Sequence, residues 1–223
     1  MTRSAAEQAG NDAPGNFDHL AGIYRWMEWV TFGPWLGRCR RAFLDELGAA
    51  RRALILGDGD GRFTAALLAA NGHVQVDAVD ASAAMLRALK RRAWRNAKRV
   101  RTCVADARLW EPERRGYDLV VTHFFLDCLT TDEVGALTAR MRRVMPPGAA
   151  WVVSEFAVPE GAYGRLVARP LIAFLYFAFR VMTGLRVRRL PKYAAEMEKA
   201  GLELRERRTW LGGLLAAEKW EMR

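Results

Sequence analysis

The stretch Gly57-Asp58-Gly59-Asp60-Gly61 constrains this chain more than any other part of it. Ala53-Leu54-Ile55-Leu56 before it is an apolar run of strand length, and Arg62-Phe63-Thr64-Ala65-Ala66-Leu67-Leu68 after it has helical composition. Strand, glycine turn and helix in direct succession open a βαβ unit. The alternation continues with a strand over 74–79, a helix over 82–94 and strands over 100–105 and 117–122. A chain that alternates in this way builds a parallel sheet with helices on both faces.

Thr130 and Glu133 form a capping-box pattern that opens a helix, which ends before Pro146-Pro147-Gly148. A fifth strand follows over 149–156. Beyond it lie a long apolar helical stretch over 161–183, with Pro170 suited to a first helical turn, a helix over 192–200, and two strands separated by Gly212-Gly213. The expected fold is therefore α/β and Rossmann-like, a mostly parallel seven-stranded sheet. The 223 residues suit one domain. Residues 1–16 read as a disordered polar tail. Residues 17–48 read as an N-terminal helical cap carrying Trp26, Trp29 and Trp35, divided by Gly33-Pro34. Residues 49–223 form the main domain, with a hydrophobic, basic insertion around 161–190.

Lys plus Arg number 35 against 25 Asp plus Glu, a net charge of +10 that points to an anionic partner: nucleic acid, a lipid surface or an acidic substrate. Cys39, Cys103 and Cys128 are widely spaced, with no CxxC pair or His cluster, so no metal site is expected and a reducing cytoplasm fits best. The longest apolar run, over 171–179, has nine residues, whereas a spanning helix needs about 20.

In an open parallel sheet the ligand lies beyond the carboxyl ends of the strands, where the strand order reverses. Gly57, Gly59 and Gly61 keep that backbone bare beside a helix N-terminus, although such a turn also occurs without a ligand. Asp80 ends the second strand about twenty residues on, where a carboxylate accepts both hydroxyls of a ribose. Glycines spaced G-x-G-x-G argue against a dinucleotide and suit an adenosyl group. Asp106 ends the third strand and either meets an adenine amino group or serves as a turn or cap residue.

The segments Leu54-Ile55-Leu56-Gly57-Asp58-Gly59-Asp60-Gly61-Arg62-Phe63, Val79-Asp80-Ala81-Ser82-Ala83-Ala84-Met85-Leu86, Ala105-Asp106-Ala107, Tyr117-Asp118-Leu119-Val120-Val121 and Pro147-Gly148 resemble, in order and spacing, the motifs of class I S-adenosylmethionine-dependent methyltransferases. The resemblance covers about residues 50–160. It implies S-adenosyl-L-methionine as cofactor, with the three glycines under its methionine and sugar, Asp80 on the ribose, Met85 near the adenine, and Asp106 at the adenine edge, flanked by Ala81, Ala107 and Thr122. The acidic residue usual two positions before the first glycine is Ile55 here. Either Asp58 replaces it or loop carbonyls take the amino group. Phe17-Asp18-His19-Leu20-Ala21-Gly22-Ile23-Tyr24, then Thr31-Phe32-Gly33 and Arg40, is similar to the opening of the ubiquinone/menaquinone C-methyltransferases and phospholipid N-methyltransferases. That likeness implies a lid in which Tyr24 contacts the cofactor or merely packs.

Residues 165–192 carry seven basic side chains and no acidic one beside the apolar run, a pairing suited to peripheral contact with an anionic membrane, to a greasy substrate wall, or to ordinary burial. Eight more basic residues over 87–101 read as a solvated helix face. After the fourth strand, Thr122, His123 and Asp127 are the polar groups nearest the expected methyl group. His123 is either a general base, oriented by Asp127, or a pocket wall. The expected activity is methyl transfer to a small hydrophobic or lipid-like acceptor, a quinone precursor or a phospholipid headgroup, in the cytoplasm or at a membrane surface. An RNA methyltransferase, with nucleic acid the less favoured partner, and a cofactor-binding protein without turnover are the alternatives.

Overall fold

In the computed structural model, residues 32–173 and 190–223 are described. The polar tail, the first part of the cap with His19 and Tyr24, and the apolar and basic residues over 174–189 lie outside the described residues.

Five parallel strands form as the sequence implies: β1 (Arg52–Leu56), β2 (Gln75–Asp80), β3 (Val100–Val104), β4 (Leu119–His123) and β5 (Ala150–Phe156). The last two, β6 (Leu202–Trp210) and β7 (Leu215–Met222), make a hairpin in which β7 runs antiparallel between β5 and β6. The order is β3-β2-β1-β4-β5-β7-β6. It reverses between β1 and β4, which opens a crevice beyond their carboxyl ends.

The helices are α1 (Trp35–Arg40), α2 (Arg62–Ala70), α3 (Ala83–Ala93), α4 (Thr131–Arg142) and α5 (Tyr193–Lys199). Each central strand is apolar on both sides because helices cover both faces. On β1, Ala53 and Ile55 join a core with Phe63, Leu67, Val121 and Val152, which also takes in Leu36 and Cys39 of α1. Leu54 and Leu56 face the other way, to Val120, Trp151, Leu137 and Met197. The capping box at Thr130 and Glu133 is present in full.

Two local readings change. The helical stretch expected from about 161 begins at Gly161, so Pro170 lies inside it rather than in a first turn, with a π turn over Gly164–Ala168 ending two residues ahead of the proline. Proline lacks the N–H that a regular turn would use, and an irregular turn beside it is the usual accommodation. The basic stretch over 87–101 is not a uniformly solvated face either. Arg92 binds Asp60, Arg99 binds the carbonyls of Leu68 and Asn71, and Arg101 pairs with Asp77 and Glu113.

Candidate active site

The turn between β1 and α2 keeps Gly57, Gly59 and Gly61 at φ of 70°, 58° and 79°, a region that side chains disfavour. Two of these positions are also closed sterically. A Cβ on Gly57 would lie 2.4 Å from the Phe125 ring, and one on Gly61 would lie 2.7 Å from the Leu89 backbone. Gly59 differs, for a Cβ there would meet only Met85 Sδ, at 3.9 Å. Its neighbourhood is open enough for a ligand to approach the backbone.

Asp80 stands at the tip of β2 and accepts from the Ser82 N–H at 2.8 Å and from the Gly59 N–H. Burial raises its pKa, and the two backbone bonds partly offset that rise. Ser82 caps α3 by accepting from the Met85 N–H at 3.2 Å, which sets Met85 beside the turn. Gly57, Gly59, Asp80, Ala81 and Met85 are thus brought together.

Other expected residues are placed differently. Asp58 is tied to the first turn of α2: its carboxylate accepts from the Thr64 hydroxyl at 2.6 Å and backbone N–H at 2.8 Å. Thr122 is fully buried, and its hydroxyl accepts from Trp151 Nε1 at 3.0 Å on the α4 side of the sheet. Asp106 reaches the tip of β3, but Arg108 grips its carboxylate from 2.5 Å and holds its pKa down. Ala107 is buried, and its carbonyl accepts from Arg140 of α4 at 2.9 Å, which ties the 106–108 turn to that helix.

His123, 4% exposed, ends β4 on the α2 side, with its ring edge-on to Phe63 at 4.5 Å between centroids. Neither ring nitrogen has a hydrogen-bond partner among the described residues. The expectation that Asp127 orients His123 is therefore not met. Burial, aided by the Arg40 charge, holds the imidazole pKa well below its ordinary value, so the ring is neutral.

These features sit in a segment with a family match. Residues 53–148 match the family model described as a methyltransferase domain. The matched segment holds the glycine turn, Asp80, Met85 and His123. A comparison with curated proteins finds no match. Among solved structures, mitomycin 7-O-methyltransferase is similar at 16% identity and a TM-score of 0.68, over 91% of this chain and 58% of that one. An O-methyltransferase family protein from Burkholderia thailandensis gives 18% and 0.67 over 94% and 63%. The S-adenosylmethionine-dependent methyltransferase SibL gives 19% and 0.67 over 96% and 63%. The chain spans less than two thirds of the length of each of these three, and the likeness is one of fold.

The crevice also draws on residues that no motif announced. Arg40 of α1 brings its guanidinium to 5.2 Å from the Phe124 ring and places positive charge near Asp58 and His123. Phe125 supplies the ring that closes on Gly57. Neither has a spacing signature, because each meets the site only through the packing of distant segments.

Proposed function

We propose that the protein transfers a methyl group from S-adenosylmethionine to a small hydrophobic or lipid-like acceptor of the quinone-precursor or phospholipid-headgroup type. The observation that carries this reading is the Asp80 carboxylate at the tip of β2, joined to the Gly59 N–H of the turn after β1, next to the point where the strand order reverses between β1 and β4. The residues fit the cofactor. The backbone at Gly59 has room beside Met85, and the carboxylate beside it is desolvated, so a ribose hydroxyl finds an acceptor that water does not fully occupy.

When bound, S-adenosylmethionine would supply a sulfonium-bound methyl group open to in-line attack by the acceptor, with the thioether S-adenosylhomocysteine as leaving group. The protein's task is alignment and exclusion of water. Asp80 would take the ribose hydroxyls, Ala81 and Met85 would border the adenine, and Asp106, paired with Arg108, would meet the adenine edge. The reading of Tyr24, as a cofactor contact or a packing residue, concerns a position outside the described residues. His123 is neutral, with ring nitrogens that have no partner among the described residues; as a base it would take a proton only from an acceptor hydroxyl that reaches those buried nitrogens, and its lowered pKa makes it a weaker base than a free imidazole. That a solved neighbour of the same fold is named for methylating the 7-oxygen of mitomycin supports an oxygen acceptor.

Contact with an anionic membrane belongs to the same proposal. Tyr163, Leu166 and Val167 are exposed among Arg165 and Arg169. Among the described residues no helix is long and apolar enough to cross a membrane.

S-adenosylmethionine or S-adenosylhomocysteine should raise the melting temperature by binding the folded state, while NAD(H) should not. Asp80→Ala should remove most of that shift, since a charge-assisted hydrogen bond contributes about 1.5–3 kcal/mol. Absence of binding by either ligand at millimolar concentration would falsify the reading.

A further inference from the structure

We propose that Glu155 is a positioning residue for the cofactor turn: from β5 its carboxylate holds the segment after β4 so that Phe125 stays seated on Gly57. The inference rests on the cofactor reading above.

Glu155 is 1% exposed, and no ion pair to it is present among the described residues. A carboxyl group buried without a countercharge costs several kcal/mol unless its oxygens are hydrogen-bonded. One oxygen is well used. Oε1 accepts from the Phe125 N–H at 3.1 Å and from the Leu126 N–H at 2.7 Å, and the Asp127 N–H also donates to the carboxylate. Oε2 has no partner. Burial and the nearby Asp127 push the pKa of Glu155 well up, so its second oxygen can carry a proton and leave the group uncharged.

Those amides need a partner because of what happens at Phe124. This residue has φ of 52°, and its N–H donates to the Ser154 carbonyl at 2.6 Å, the last ladder bond to β5. The chain then turns away from the sheet, and the next three N–H groups have lost their strand partner. Glu155, one residue beyond Ser154 on β5, collects them. The segment so held begins with Phe125, whose ring stands where a Gly57 side chain would be. Gly57 in turn donates to the Val79 carbonyl at 2.9 Å, next to Asp80. Carboxyl group, loop amides, aromatic ring and cofactor turn form one connected set of contacts.

The test is the affinity of S-adenosylhomocysteine by titration calorimetry, with amide exchange over 124–128 as the second readout. Glu155→Met should weaken binding at least tenfold and speed exchange of the 125–127 amides. Glu155→Gln, which keeps the accepting oxygen, should restore affinity to within threefold of wild type. Adding Phe125→Ala to Glu155→Met should cost little more, since the ring is already released. Wild-type affinity in Glu155→Met, or a Phe125→Ala effect that adds in full, overturns the proposal. If Glu155→Met does not fold, Phe125→Ala decides alone: it should lose at least tenfold in affinity while its loop amides stay protected, and unchanged affinity overturns the proposal. Failure of the wild type itself to bind marks failure of the cofactor reading and brings this inference down with it.

Discussion

A neutral imidazole sealed from water couples protonation to unfolding. The pKa of His123 is depressed in the folded state, so the stability gained by burying it neutral is present above the unfolded value near 6.5 and is lost as pH falls below that value. Urea titrations should show wild type losing stability relative to His123→Leu between pH 7.5 and 5.5. The same depression keeps the ring in its basic form, so with a phenolic acceptor any activity limb due to His123 should lie below pH 6.5. A limb at or above 6.5 that disappears in His123→Gln would contradict the depressed pKa. The glycines make a second pair of expectations at this scale. Gly61→Ala forces a Cβ against the Leu89 backbone at positive φ and should cost about 2 kcal/mol or more in urea unfolding. Gly59→Ala meets only a flexible methionine, so it should cost about 1–2 kcal/mol of backbone strain but abolish cofactor binding by filling the approach.

Elements are held in register by polar residues with no place in any motif. Asn71, buried just past α2, donates through Nδ2 to the carbonyls of Leu47, Gly48 and Ala50, while its Oδ1 accepts from the N–H groups of His73 and Val74. One amide thereby ties the segment before β1 to the turn before β2. Asn71→Ala leaves several buried backbone groups unpaired and should lower stability by about 3 kcal/mol or more, with cofactor affinity per folded molecule unchanged. Asn71→Asp, which cannot donate, should not rescue it. The capping box was readable because it is local, three residues apart on one turn. The tie Asn71 makes was not, because the carbonyls its Nδ2 binds lie more than twenty residues back. His123 and Asp127 were misjudged as a pair for a related reason. A spacing of four places residues on one face only while the strand continues, and β4 ends at His123, with Phe124 at positive φ immediately after it.

At the scale of the whole molecule the excess positive charge is distributed unevenly. Part of the basic stretch over 87–101 is consumed by internal bonds from Arg92, Arg99 and Arg101, whereas Arg165 and Arg169 are exposed beside Leu166 and Val167. The membrane proposal therefore predicts co-sedimentation with phosphatidylserine vesicles that falls when Leu166 and Val167 are changed to Ser, and falls less when Lys90 and Arg91 are changed to Ala. Salt-dependent RNA binding without vesicle binding would count against it and for a nucleic-acid acceptor.

Local chemistry by itself determined the order of elements and the first half of the site. Apolar runs of strand length, helical runs between them and glycines at the turn follow from short-range sterics and periodicity, so β1 to β5, Gly57, Gly59, Gly61 and the strand-end Asp80 were all legible in the chain. Tertiary structure alone decided the insertion of β7 between β5 and β6, the hydrogen bonds of Asp58 to α2 and of Thr122 to Trp151, and the contacts of Arg40 with Phe124, of Phe125 with Gly57 and of Glu155 with the 125–126 amides. The reason is physical: a hydrogen bond or ring contact depends on which face a side chain occupies and what packs against it, and for residues tens of positions apart both are set only when the two cores close on the sheet.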